Sequence, residues 1–319
     1  MVRYLTENDI KQLITMPIAL ECAEQALRAR ALGEAIDVPR ARIHLPTGTQ
    51  HVLQAAAPGL KFVGFKYYYT TPHGKSFYVH LINTESGRLE AIIEAIWMSM
   101  VRTGAASGVA ADRLAVKDAS VVGQIGAGFQ GIGQLEAVCQ VRKIRAAHVF
   151  ARNRDRLQAF CSTMSQKLGI EVAAAPNAEA AVRGAHIVNV ITKSAEPVLR
   201  GAWLDRGQHV NAAGSNALSR RELDDEAVKK CDVITVDSRG TASRECGDLL
   251  PSVEKGWRHW DSLVEMGDII AGKERGRSSP GEITLYESHG MGIQDLWIGA
   301  RMLELARERG VGADLPIGS

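Results

Sequence analysis

"SVVGQIGAGFQGIG", residues 120–133, runs from an apolar strand through a glycine-rich turn into a helix. Gly126, Gly128 and Gly131 stand in G-x-G-x-x-G order. That pattern is weak alone, but its position between a strand and a helix is the context that gives it meaning. Gly126 permits a tight turn, Gly128 lets a pyrophosphate approach the backbone, and Gly131 lets the helix pack on the strand. Phosphates would meet free N–H groups at the positive end of the helix. Ala127, Phe129 and Gln130 complete the expected phosphate loop. The alternative is a glycine-rich turn that holds no ligand.

From residue 118 onward, strand-like and helix-like runs alternate. "AAHVFAR" precedes "RDRLQAFCSTMSQKLG", "EVAAA" precedes "NAEAAVRGA", and "HIVNVIT", "QHVNAAG", "RRELDDEAVKKC" and "DVITVDS" follow. Such alternation predicts an α/β fold: a Rossmann-type doubly wound parallel sheet with helices on both faces. Before it, residues 7–32 read as helical, capped by Asn8 or Asp9 and divided by Pro17. Residues 37–89 read as a β-rich region, and "AIWMSMVRTGAASGVAADRLA" as a helix. The final amphipathic helix, "IQDLWIGARMLELARERG", is expected to rejoin the first part. The expected division is residues 1–114 with 291–319 as an α/β substrate-binding and dimerisation domain, and 115–290 as the dinucleotide-binding domain.

The chain has 319 residues, 45% of them hydrophobic and 23% charged, with a formal net charge of +2. That composition fits a soluble globular protein of about two domains. The near-neutral charge gives no footprint for nucleic acid. No apolar run suits a signal peptide or a membrane span, so a cytoplasmic location is expected. The five cysteines are scattered and show no disulfide framework. No H-E-x-x-H or close Cys/His spacing announces a metal, so none is expected.

The end of the second strand separates NAD from NADP. An NAD site usually carries an acid there, bound to the ribose 2′-hydroxyl. Here the stretch is "HVFARNRDR", with Ala151 at the acid position, then Arg152, Asn153 and Arg154. Guanidinium groups suit a 2′-phosphate, which a carboxylate would repel. NADP is therefore expected over NAD, the alternative being a solvated helix start. Thr192, closing "HIVNVIT", is grouped with the cofactor-binding residues.

An anionic substrate needs fixed cations. Arg40 in "VPRARIHL", Lys66 in "GFKYYYT" and Arg102 in "MVRTGAASG" are the candidates. Lys66 sits in an apolar, aromatic strand, where a charge is expensive unless paired or used. Each can instead serve a salt bridge. His80, in "FYVHLIN", titrates near neutral pH and is a reserve proton donor if it shares a face with Lys66. A satisfied core histidine is the alternative. Asn216 follows Gly214 and Ser215 just past a strand, where α/β proteins often meet a ligand.

Together these motifs resemble the ornithine cyclodeaminase/μ-crystallin family over nearly the whole chain. The specific marks are "VPR", "FK", "VRTGAASGVAADRLA", "IGAGFQG", "AEAAVRGAHIVNVIT", "EPVLRGAWLDRGQHVNAAGS", "RREL" and "EITLYESHGMGIQDL". The resemblance implies a homodimer with NAD(P)-linked chemistry on the C–N bond of a small α-imino or α-amino acid. It implies that Arg40, Lys66 and Arg102 bind the carboxylate or reacting centre. Cyclodeaminases carry an acid where this chain has Asn216, and an amide cannot act as a general base. Ornithine-specific members place a Glu where this chain has Ala55. The expectation is a ketimine reductase, such as one acting on pyrroline-2-carboxylate. A cyclodeaminase, an alanine dehydrogenase-like enzyme and a non-catalytic NADP-binding crystallin remain alternatives.

Overall fold

In a computed structural model describing residues 1–317, the chain opens with β1 (Val2–Leu5), α1 (Glu7–Leu13) and α2 (Met16–Ala31). Thr6, rather than Asn8 or Asp9, caps α1. Its side chain accepts from the Asp9 N–H while the Asp9 carboxylate accepts from the Thr6 N–H, a reciprocal capping box. Pro17 starts α2 instead of dividing a helix, because a first-turn proline gives up no intrahelical hydrogen bond. An antiparallel run follows: β2 (Ile36–Leu45), β3 (Gly48–Ala57), β4 (Phe62–Thr70), β5 (Lys75–Asn83) and β6 (Leu89–Glu94). The next helix is α3 (Ile96–Leu114).

The alternating half begins with β7 (Val121–Ile125), α4 (Phe129–Val141), β8 (Ala146–Phe150), α5 (Arg154–Leu168), β9 (Glu171–Ala174), α6 (Ala178–Val182), β10 (Ile187–Val190) and β11 (His209–Ala212). Then come α7 (Asp225–Lys230), β12 (Val233–Val236), α8 (Arg239–Glu245), α9 (Leu250–Glu254), β13 (Val264–Glu265), α10 (Met266–Ile270) and β14 (Thr284–Glu287). The chain closes with α11 (Gly292–Arg309) and β15 (Ala313–Leu315).

Two compact units result. The first holds Met1–Arg102 and the chain from Gly290 onward, and the second holds Thr103–His289. Sequence reading put the first boundary after residue 114, at the end of α3; the units change over inside that helix.

The first unit is built on a seven-stranded sheet in the order β15-β1-β6-β5-β4-β3-β2. Helix α11 packs on β3, β4 and β5. Gly299 of α11 lies against Val79, Leu81 and Ile93, so the helix sits close on that face. Leu53, Val79, Leu81 and Ile93 are buried there.

The second unit is an eight-stranded parallel sheet in the order β13-β12-β14-β11-β10-β7-β8-β9. Strands β10 and β11 are buried along their whole length, as a sheet covered on both faces requires. Val188, Val190, Val210 and Leu285 enter one apolar cluster, and Val122, Val149, Ile187 and Phe160 the other. This is the expected Rossmann-type doubly wound fold. Its order reverses between β7 and β10, the place where such sheets bind ligands. The "RREL" run is not helical: α7 begins only after its cap, Asp224, while Leu223 bridges to Leu199. Among the described residues no helix is long and apolar enough to cross a membrane.

Candidate active site

In the second unit, the residues expected to hold a dinucleotide gather at the carboxyl ends of the strands. Gly126 has φ +117° and a Cβ there would overlap the Ile191 carbonyl oxygen, so only glycine fits between β7 and the loop after β10. Gly128 caps α4 with open space above it, while Ala127, Phe129, Gln130 and Gly131 complete the turn. Gln124, fully buried in β7, holds the turn from below. Its Nε2 donates to the carbonyls of Gly126 at 2.9 Å and Gly131 at 3.2 Å. Its Oε1 continues an amide row: Asn189 Nδ2 donates to it at 3.4 Å, and Asn211 Nδ2 donates to Asn189 Oδ1 at 3.0 Å. The register places these three side by side on adjacent strands.

Past β8, Arg152 and Arg154 are exposed. Asn153 has a structural task as well: its side chain accepts from the Arg156 N–H at 2.8 Å and caps α5. Thr192, past β10, is also committed. Its N–H and hydroxyl both donate to Glu222 Oε1 at 2.6 Å. Glu222 Oε2 accepts from the Gly214 N–H at 2.7 Å. One buried carboxyl thus ties the loop after β10 to the loop carrying half-buried Asn216. Burial raises the Glu222 carboxyl to about 7 against the lowering effect of its Thr192 hydrogen bond. Glu222 escaped the sequence reading because "RREL" looks like a charged helix start.

In the first unit, Lys66, Arg102 and Arg40 converge. Lys66 Nζ lies 3.0 Å from Asp295 Oδ1 and Arg102 Nε lies 3.2 Å from the same oxygen. Arg102 Nη1 donates to Gln294 Oε1 at 3.3 Å, and Arg40 Nη2 to the Gly290 carbonyl at 3.4 Å. All four charged groups are buried. Lys66 also stands 5.3 Å from the Phe77 ring centre and 5.8 Å from that of Tyr68, which Arg40 approaches at 6.0 Å. Burial and the Arg102 charge lower Lys66 to about 7, against the opposing pull of Asp295. Asp295 Oδ2 is buried with no hydrogen-bond partner.

Arg40 reaches this cluster through an irregularity. Asp37 pairs with Ala55 on the Lys66 face, so strict alternation would turn Arg40 to the other face. The register slips between Val38 and Ala41, and a bulge of this kind re-aims side chains. His80 does not join. It pairs with Phe65, while Lys66 pairs with Val79, so His80 and Lys66 point to opposite faces of the sheet. His80 stacks on Phe65 at 4.6 Å, and burial lowers its pKa. Its proposed role as reserve proton donor is withdrawn. A histidine that does lie on the Lys66 face is His51, stacked on Tyr68 at 4.2 Å. Burial and Arg40 lower it to about 3, so it is neutral at pH 7.

The model of the ornithine cyclodeaminase/mu-crystallin family matches residues 2–309. The chain belongs to this family. Within it, a Delta(1)-pyrroline-2-carboxylate reductase of Bacillus cereus is 31% identical over 97% of this chain and 98% of that protein. An alanine dehydrogenase of Archaeoglobus fulgidus is 30% identical over 98% of this chain and 97% of its own length. Among solved structures, the Thermococcus litoralis Delta(1)-pyrroline-2-carboxylate reductase in complex with NADH and L-proline superposes with a TM-score of 0.95 at 32% identity. It covers 98% of this chain and 100% of that one. Family members therefore include enzymes named for imine reduction and for amino-acid dehydrogenation, and one is solved with NADH bound.

Proposed function

We propose that this protein is an NAD(P)H-dependent ketimine reductase acting on a small cyclic α-imino acid such as pyrroline-2-carboxylate. The observation that carries this reading is the buried cation cluster in which Lys66 and Arg102 meet Asp295 and Arg40 lies near Lys66. Lys66 and Arg102 share a single carboxylate oxygen, and such a buried cationic group suits a substrate carboxylate. Arg40 and Arg102 hold that carboxylate. Lys66, with its pKa near neutrality, gives a proton to the imine nitrogen. When bound, the reduced nicotinamide supplies a hydride to the imine carbon. Asn216 orients the substrate or a water by hydrogen bonding. The supporting relatives are the reductases that match along nearly their full length.

The test follows absorbance of NADPH, and of NADH in parallel, with pyrroline-2-carboxylate and piperideine-2-carboxylate. Rapid oxidation supports the reading; none with either cofactor defeats it. A cyclodeaminase would release ammonia from ornithine. Two features argue against that outcome. Asn216 cannot take the proton an acid would take, and Ala55 places a buried methyl on the Lys66 face.

We assign the cofactor preference to NADPH because Arg152 and Arg154 have no carboxylate partner among the described residues. Replacing both with serine is expected to raise the KM for NADPH by about 5- to 30-fold, the loss of two exposed charge-assisted contacts of roughly 1–2 kcal/mol combined. The KM for NADH should change less than threefold. Equal effects on both cofactors would remove the arginines from 2′-phosphate recognition.

A homodimer is also part of this reading. Ile36, Val38, Ile43 and Val63 are exposed apolar residues on β2 and β4, and the register puts them on the face away from α11. A second copy covering that face would bury them. Sedimentation velocity should show a dimer, and Val63→Glu with Val38→Glu should shift it to monomer. A monomeric wild type rejects this assembly.

A further inference from the structure

Cys246, Glu287 and His289 are far apart in sequence, and no metal motif announces them. The fold brings one ligand atom of each within 4.8 Å of the others. All three are buried, at 0%, 2% and 5% exposure. Each sits on fixed backbone. Cys246 closes α8, its N–H donating to the Ala242 carbonyl at 2.8 Å. Glu287 ends β14 between Ala212 of β11 and Val236 of β12. His289 is held by Asp237, whose Oδ2 accepts from the His289 N–H at 2.7 Å and from the Ser288 hydroxyl at 3.4 Å.

The surroundings call for positive charge. Glu287 Oε1 is buried without a hydrogen-bond partner. Asp248, Glu222 and Asp237 lie near the Glu287 carboxyl, which also takes a side-chain hydrogen bond from Cys246. A buried acid with acidic neighbours is costly unless it is protonated or meets a cation. The donor set selects the cation. Magnesium and calcium take all-oxygen shells, whereas a thiolate, an imidazole and a carboxylate suit zinc. Three protein ligands leave a fourth tetrahedral position for water.

We propose that Cys246, Glu287 and His289 form a zinc-binding site in the second unit. The Cys246 thiol, and the Glu287 carboxyl where it is protonated, give their protons to solvent as the bonds to zinc form, and no electron is transferred. His289 binds as the neutral imidazole and Glu287 as the carboxylate.

Cobalt(II), which occupies such sites and reports its ligands by colour, is the probe. The purified full-length protein, stripped of metal, is titrated with cobalt chloride and then with zinc chloride. One equivalent of cobalt should give a thiolate-to-metal charge-transfer band in the near ultraviolet and the strong visible bands of a tetrahedral centre. Zinc should abolish both. Cys246→Ser should lose the charge-transfer band, whereas Cys231→Ser, which alters another buried thiol, should keep it. Glu287→Gln should weaken cobalt binding at least about 10-fold, since even loss of an outer-shell partner has that effect. Absence of the charge-transfer band in the wild type overturns the proposal, as does its persistence in Cys246→Ser. If Cys246→Ser fails to fold, the wild-type spectrum and the Glu287→Gln titration decide.

Discussion

Replacing Lys66 with methionine is expected to lower kcat/KM for imine reduction by about 10²–10⁴-fold, the range for loss of a positioned proton donor. Methionine keeps the apolar stem among Tyr68 and Phe77, so NADPH binding should be unchanged. The pH profile gives an independent check. Lys66 is lowered to about 7 by burial and Arg102, while Asp295 opposes the shift and Arg40 adds to it. A proton donor must be charged in the free enzyme, so kcat/KM should fall as pH rises through about 7. That falling limb should be absent in Lys66→Met. The same group affects stability with a definite sign. Unfolded lysine keeps its proton up to the ordinary value of 10.5, whereas the folded side chain releases it near 7. Between those values the unfolded state binds more protons, so stability rises with pH across that window. Denaturation midpoints from pH 6 to 10 should show the rise in the wild type and lack it in the variant. Retention of activity within threefold would remove Lys66 from proton transfer.

The two units were unequally legible. The dinucleotide-binding half could be read because its signals are local: glycines at fixed spacing, apolar strands and helices in alternation. Lys66 stood out for a related reason, since a charge inside "GFKYYYT" is costly unless it has a task. The failures came from information that sequence spacing does not hold. Period-two alternation says which residues of one strand share a face, but not how that strand registers with its neighbour. His80 is therefore a reserve donor in the sequence only if it shares a face with Lys66, and the register sends it to the opposite face. Arg40 reaches the cluster only through the register slip after Val38, which no periodicity announces. Asp295 went unnoticed because an acid in the first turn of a helix already has an ordinary reason to be there, the helix dipole. Its partnership with Lys66 depends on α11 packing against a strand more than two hundred residues earlier. Asn153 shows the converse: a polar residue in a plausible binding stretch also caps a helix.

Asp295→Ala is expected to destabilise the protein by about 3–5 kcal/mol at pH 7, the usual result of removing one partner from a buried ion pair. Lys66 and Arg102 share its Oδ1, so a single substitution strands two buried cations. The loss should depend on pH in a particular direction. Without Asp295, only Lys66 among the three cations can readily shed its charge, because a guanidinium stays protonated. The variant should therefore be penalised more at pH 6 than at pH 9. Lys66→Met in the Asp295→Ala background should recover part of the loss, since it removes one of the stranded charges. An anionic ligand offers a second route to recovery. L-proline or another small carboxylate should raise the denaturation midpoint of Asp295→Ala by at least as much as that of the wild type, because the vacated charge must be met by something. Thermal denaturation of the four proteins, with and without the carboxylate, measures all of this. If Asp295→Ala proves as stable as the wild type at every pH, the cations do not sense one another strongly. The inference that this buried cation cluster selects an anionic substrate would then have no physical basis.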